Sequence, residues 1–257
     1  MAARLSEREE QRQEKFDGIW GNELKEVFSD VAEEYESANS FITFGLWKRM
    51  RRKFVDTMDL FDGAQVLDVC AGTNAVGIDI LLRNPKVNVT AVDRSEEMQS
   101  AGGKRASRLG LSIKSVISDV HQLPFPDNTF DFITLEAATR HLVVTKAFKE
   151  IFRVLKPGGY FHHNDLCKPR NWLLAQGYVT YLKIMLPVTS LVFFRGKRFL
   201  GERNKTLKVS KYFLDAIQDF YTTDELSQMM RDTGFADVEF KLLLAGTSAA
   251  HKARKPL

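Results

Sequence analysis

From Ala64 to about His163 the chain alternates short apolar runs with stretches of helical period, and this rhythm restricts the fold more than any other feature. Gln65-Val66-Leu67-Asp68-Val69-Cys70 reads as a strand that stops at the turn signal Ala71-Gly72-Thr73-Asn74. A helical stretch follows to Leu82, and Asn84-Pro85 ends it. Residues 87–92 read as a second strand that stops at Asp93. Ser95 then serves as an N-cap, with Glu96 and Glu97 placed where the helix dipole favours negative charge. Further strand-like runs fall at 112–117, 130–135 and 160–163, the last preceded by Pro157-Gly158-Gly159. Strands joined through helices need long crossovers, so they pair in parallel, right-handed, with helices on both faces. A helix opened by Thr222-Thr223-Asp224-Glu225 leads to a final strand pair at 238–244 and 247–251. The expectation is an α/β fold: a doubly wound, mostly parallel, seven-stranded sheet.

The flanks depart from this rhythm. Residues 1–15 are almost all polar and read as a disordered tail, with a frayed helix as the alternative. Residues 16–257 read as a single domain. Within it, 16–60 form a helical cap, marked by helix-spaced Leu24, Val27, Phe28, Val31, Phe41, Phe44, Leu46, Trp47, Met50 and Phe54. Residues 170–221 form a helical lid insertion. Its first part, 171–194, is strongly apolar and aromatic; in 195–211 seven basic side chains face one acid, Glu202.

Composition narrows the function classes. Cys70 and Cys167 are the two cysteines and form no C-x-x-C pair, so a zinc site or disulfide framework is not expected. The charged N-terminus lacks an apolar signal core, and no uncharged apolar run reaches the roughly 18–20 residues of a membrane span. The expected location is cytoplasmic, with contact to a membrane surface through 171–211, where an apolar stretch adjoins a basic one. The basic segment lacks any RNA-binding module or stacking motif, so nucleic acid is not an expected partner.

In a sheet of this kind, ligands bind beyond the C-terminal strand ends. Asp68, Gly72, Asp93 and Asp119 all fall at or just after such ends. Gly72 lets backbone approach a ligand, Asp93 can accept from two ribose hydroxyls, and Asp119, beside apolar Val120, can accept from an adenine amino group. A glycine-bearing loop with an acid about 20 residues on also suits NAD, but no G-x-G-x-x-G run is present.

The chain resembles the C-methyltransferase family of ubiquinone and menaquinone biosynthesis, within the class I S-adenosylmethionine (SAM)-dependent methyltransferases. The resemblance rests on Val27-Phe28 through Tyr35 and Asn39, Val66-Leu67-Asp68, the block Leu123–Asp131, the block Arg153–Gly159, and Ala245-Gly246 before His251-Lys252. It implies a Rossmann-like methyltransferase fold and SAM as cofactor. Asp68, Gly72, Asp93 and Asp119 would bind it, joined at the same strand ends by Cys70, Asn74, Arg94 and Val120. It implies a functional arginine at Arg140, on the substrate side of the fourth strand, and Tyr35 closing over the sulfonium or substrate. The implied acceptor is small, lipophilic, aromatic and prenylated. Arg140 would stabilise a phenolate, and His141 or Asp165 would take its proton.

Three departures from the family stand out. Cys70 and Asn74 replace loop glycines and Ala75 an acid; His141 replaces an asparagine; and Asn164-Asp165-Leu166 replaces a Leu-Glu-Phe strand end. They keep two alternatives open: another phenol, amine or thiol acceptor, or a SAM-binding protein without transferase activity. His163-x-Asp165 lacks an evident third ligand, so no metal is expected.

Overall fold

The computed structural model describes residues 2–15, 23–167, 169–194 and 203–257. Its centre is a seven-stranded sheet in the order β3-β2-β1-β4-β5-β7-β6. The strands are β1 (Gln65–Val69), β2 (Asn88–Asp93), β3 (Lys114–Ile117), β4 (Phe130–Glu136), β5 (Leu155–Leu166), β6 (Ala236–Leu243) and β7 (Ser248–Arg254). The first five run parallel, and β7 lies antiparallel between β5 and β6. β1 and β4 are near-continuous apolar runs because helices cover both faces of the sheet there.

Strand order reverses between β1 and β4, which opens a crevice at their C-terminal ends. Val69 pairs with both Val92 and Leu135, so the ends of β1, β2 and β4 reach nearly the same level. The helices α5 (Ala75–Arg83), α6 (Glu96–Arg108), α7 (Val144–Val154) and α10 (Thr223–Thr233) flank this sheet. Their starts obey the local signals: Ser95 Oγ accepts from the Met98 amide at 3.1 Å, and Thr222 with Glu225 forms a capping box.

The tail expectation is corrected. Residues 2–15 form helix α1 (Ala2–Lys15), and it is docked on the domain. Leu5 joins the main apolar core. The carboxylate of buried Glu9 accepts from the Tyr221 hydroxyl and from the amide and hydroxyl of Thr145, each at 2.7 Å. Arg12 donates to the carbonyls of Arg140 and Leu142, both at 3.1 Å. Composition suggests disorder because α1 is held by polar groups whose partners lie more than 120 residues away.

Three further helices, α2 (Glu23–Val31), α3 (Tyr35–Ile42) and α4 (Leu46–Val55), precede the sheet, in the range read as a cap. The insertion supplies α8 (Trp172–Phe193) and α9 (Arg203–Gln218), which pack on one another; α8 also packs on α3. Residues 16–22 of the cap and 195–202 of the basic stretch lie outside the described residues.

Candidate cofactor and acceptor sites

The loop after β1 turns through left-handed backbone at Cys70 (φ 53°), Gly72 (φ 50°) and Asn74 (φ 56°). Asp93, the last residue of β2, fixes this loop: its carboxylate accepts from the Gly72 amide at 2.8 Å and the Ser95 amide at 2.9 Å. A Cβ at Gly72 would meet nothing within 4 Å, because the backbone there borders open space. That space is a cavity of about 130 Å³ lined by Cys70, Gly72, Asp93, Arg94, Asp119 and Val120, six of the eight residues expected at the cofactor. Phe28 and Tyr35 close it from the cap, and His141 borders it from the turn after β4.

The remaining two, Asp68 and Asn74, sit behind the loop. Asp68 is buried; its Oδ1 accepts from Thr134 Oγ1 at 2.7 Å and its Oδ2 has no partner. Burial pushes its carboxyl up to about 7. Asn74 faces α6, where its Oδ1 accepts from Gln99 Nε2 at 2.8 Å; the same nitrogen donates to the Gly72 carbonyl at 3.0 Å. Opposite stands Gly102. A Cβ there would fall 2.6 Å from the Thr73 carbonyl carbon and 2.8 Å from Asn74 Cγ. The loop carries a side chain at Asn74, and the helix facing it carries the glycine that leaves room for it.

Asp119 accepts from the His121 amide at 2.9 Å and lies 2.7 Å from the His121 ring nitrogen. Burial raises its carboxyl, but His121 and Arg94 outweigh this and hold it below the usual value. Cys70 is pushed well up by burial and then by the carboxylates of Asp93, Asp119 and Asp68, so its thiol keeps its proton. The sequence reading missed Glu136. It lines the cavity at the end of β4, and burial pushes it up to about 8. An acid closing the apolar run Phe130–Leu135 is the signal that marks it.

A second cavity, of about 620 Å³, adjoins the first through Phe28 and Tyr35, which line both. Its wall is apolar, built by α2, α3, α4, α8 and α9, with Trp47, Tyr178, Leu182 and Phe213 among its lining. Arg140 lies in this wall. Its Nη1 donates to Asp165 Oδ1 at 2.5 Å, its backbone amide lies 3.4 Å from Asp165 Oδ2, and its Nε is buried without a partner. Burial disfavours the guanidinium charge, yet Asp165 outweighs it and keeps the group protonated.

Asp165 also accepts from the Leu166 amide at 2.7 Å and lines neither cavity. Its carboxylate is committed to Arg140. His141 Nδ1 lies 2.7 Å from the Tyr212 hydroxyl, and its Nε2 has no partner. Burial, then the cations Arg140 and Arg12, hold this imidazole well below its usual range, so it is neutral. His163 and Asp165 do not converge: His163 contacts Thr139 Oγ1 at 2.7 Å and His251 at 3.2 Å. Among the described residues, no three His, Cys, Asp or Glu side chains could hold a metal ion.

Residues 15–255 match the model of the ubiE/COQ5 methyltransferase family. The chain belongs to this family. It is 33% identical over 238 residues to a demethylmenaquinone methyltransferase of Symbiobacterium thermophilum, covering 90% of this chain and 92% of that one. It is 30% identical to a ubiquinone/menaquinone biosynthesis C-methyltransferase of Geobacter sulfurreducens, covering 92% and 90%. Among solved structures, a SAM-dependent methyltransferase from Aquifex aeolicus superposes with a TM-score of 0.54 at 22% identity, covering 79% of this chain and 88% of that one, and so shares the fold. This family member is a SAM-dependent methyltransferase, and its cofactor is SAM. The residues present suit that cofactor: open space over Gly72, acids at three strand ends, and an apolar wall at Val120.

Proposed function

We propose that the enzyme transfers a methyl group to a ring carbon of a reduced, prenylated quinone. The observation that carries this reading is the large apolar cavity with one buried arginine in its wall, joined to the cofactor cavity at Tyr35. A prenyl chain matches the apolar walls, and a phenolate matches Arg140. The Symbiobacterium relative named above is a demethylmenaquinone methyltransferase, which supports the same acceptor class.

SAM supplies a methyl group already activated on a sulfonium. Asp93 would accept from the ribose hydroxyls, Asp119 and Val120 would receive the adenine, and Arg94 would border it. Gly72 and Cys70 would present loop backbone, with Asp68 and Asn74 holding that loop from behind. Glu136 and Tyr35 would face the cationic centre. On the acceptor side, Arg140 would hold the phenolate oxygen so that the neighbouring ring carbon becomes electron-rich. Asp165 would orient Arg140. His141, neutral and with Nε2 bare, borders the cofactor cavity and would be the group to take a proton.

A lipophilic acceptor also calls for delivery from a membrane. No helix among the described residues is long and apolar enough to cross one. The surface by the large cavity suits peripheral contact. Phe44 in its lining is 76% exposed, α8 exposes Trp172, Leu173, Leu191 and Val192, and α4 exposes Lys48, Arg49, Arg52 and Lys53.

The test is a methyl-transfer assay with labelled SAM and a panel of demethylated quinols, simple phenols, amines and thiols. Methylation at carbon of the prenylated quinols, well above the others, is the expected result. Preferred labelling of an amine or thiol would sink the proposal.

A further inference from the structure

Helix α1 lies ahead of the residues that match the family, since the match begins at its last residue, Lys15. Its buried positions Leu5, Glu9 and Arg12 share one helical face, and Ser6, Glu7, Glu10 and Gln11 between them are exposed. A helix that only covers a core turns an apolar stripe towards it. This one turns a carboxylate and a guanidinium inward, and both reach the segment around Arg140 and His141.

That segment joins two helix ends. Thr139–His141 form a short 3₁₀ helix, and α7 opens just after it at Val144. A helix end leaves carbonyls without partners on one side of such a junction and amides on the other. The N-cap residue of α7 is Val143, whose side chain has no acceptor to offer. Glu9 supplies one from α1: its Oε2 accepts from the Thr145 amide, in the first turn of α7, and from the Thr145 hydroxyl, both at 2.7 Å. A carboxylate is also the charge that a helix start favours. At the other end, Arg12 Nη1 donates to the carbonyls of Arg140 and Leu142 at 3.1 Å, where a cation suits the closing carbonyls. Helix α1 is anchored behind by the segment 219–225. Arg8 donates to Glu225 Oε1 at 3.0 Å and to the Asp219 carbonyl at 2.9 Å, and the Tyr221 hydroxyl donates to Glu9 Oε1 at 2.7 Å. Arg140 is therefore held twice, by Asp165 at its guanidinium and by Arg12 at its backbone.

We propose that α1 clamps this segment for methyl transfer, with Glu9 and Arg12 as positioning residues that act through Arg140. Capping the two helix ends from outside fixes the backbone from which the guanidinium reaches the wall of the large cavity. A displacement of about 1 Å at a reacting group can cost about 10²-fold in rate, so the clamp acts on turnover. It acts less on SAM affinity, because Gly72, Asp93 and Asp119 come from other strand ends. The inference rests on the acceptor reading only for the role of Arg140.

The experiment pairs steady-state kinetics with amide hydrogen exchange on the full chain. Arg12→Ala should lower kcat about tenfold and Glu9→Gln at least about threefold, while SAM affinity by calorimetry stays within about threefold of the parent. Arg12→Lys keeps a cationic donor for the two carbonyls and should recover most of the loss. In Arg12→Ala and Glu9→Gln, exchange over residues 139–146 should quicken at least about fivefold, as for a lost cap, with β1 and β4 at parental rates. Parental kcat in both variants would overturn the clamp. So would a loss of SAM affinity as large as the loss of kcat, or faster exchange spread evenly over the sheet, which would mark α1 as general packing. An Arg12→Lys enzyme as slow as Arg12→Ala would count against it too. If the parent methylates no quinol, the acceptor reading fails by itself, and the exchange pattern then decides the clamp.

Discussion

Arg140 is the buried cation in the wall of the large apolar cavity, with one face on Asp165 and an unpartnered Nε. Arg140→Ala should lower kcat by about 10²–10³-fold, as for a lost oxyanion donor, with SAM affinity unchanged because Arg140 does not line the cofactor cavity. Steady-state kinetics beside SAM calorimetry check this, and an equal loss of SAM affinity would move Arg140 to the cofactor. Asn74 gives a second prediction. Asn74→Gly removes a left-handed non-glycine residue and an unpartnered buried Nδ2, and it costs the bond from Gln99, which still donates to Gly72. These effects offset one another, so SAM affinity should stay within about threefold. At this scale the strand-end acids were legible because a parallel sheet places them together from their spacing alone. Glu136 and Tyr212 were not. The first follows an apolar run without any turn signal, and the second matters only through a neighbour 71 residues earlier.

At the scale of elements, the strands and the flanking helices followed from period and caps, whereas the state of α1 did not. Local composition records the polarity of Glu9 and Arg12, but the partners that satisfy them, Tyr221 and the carbonyls around Arg140, come from tertiary structure. The apolar stretch 171–194 forms helix α8, which exposes much of its apolar surface. Its outer face, with the cations of α4, yields a prediction. Neutralising Lys48, Arg49, Arg52 and Lys53 together should reduce sedimentation with vesicles containing anionic lipid, and high salt should mimic the variant. SAM binding should be kept, since none of the four lines the cofactor cavity. Vesicle binding equal to the parent's would remove α4 from the contact.

The molecule as a whole buries groups that titrate in opposite senses. His141, His162, His163 and His251 are all held below their usual range, His162 to about 3 and His251 to about 4, chiefly by burial. The unfolded chain binds protons at these sites below about pH 6.5 and the folded one does not, so acidification through that window destabilises. Asp68 and Glu136 do the reverse: burial raises them to about 7 and about 8, so the folded state keeps protons that the unfolded chain has lost. Their stabilisation declines as pH rises from about 4 to about 8. Four histidines outweigh two carboxyls below about pH 6.5, and the carboxyls act alone above it. Stability without SAM should therefore peak near pH 6.5, level at the maximum and steepening on the acid side towards roughly 3 kcal/mol per pH unit as the excess approaches about two protons at about 1.4 kcal/mol each. Denaturant titrations across pH check this, and a flat profile from pH 5 to 8 would contradict it.

Helix α1 and Tyr221 have a bearing on how the enzyme is made. Glu9 leaves the ribosome early and waits 212 residues for the hydroxyl that binds it; His141 waits 71 for Tyr212. Nascent chains fold as units while synthesis proceeds, and contacts this distant in sequence form late. Of the contacts on the turn carrying Arg140 and His141, the one from Tyr212 thus forms only when α9 emerges. A ribosome stalled before that point would hold a chain with β1 to β5 already synthesised and His141 still without the hydroxyl that meets its ring.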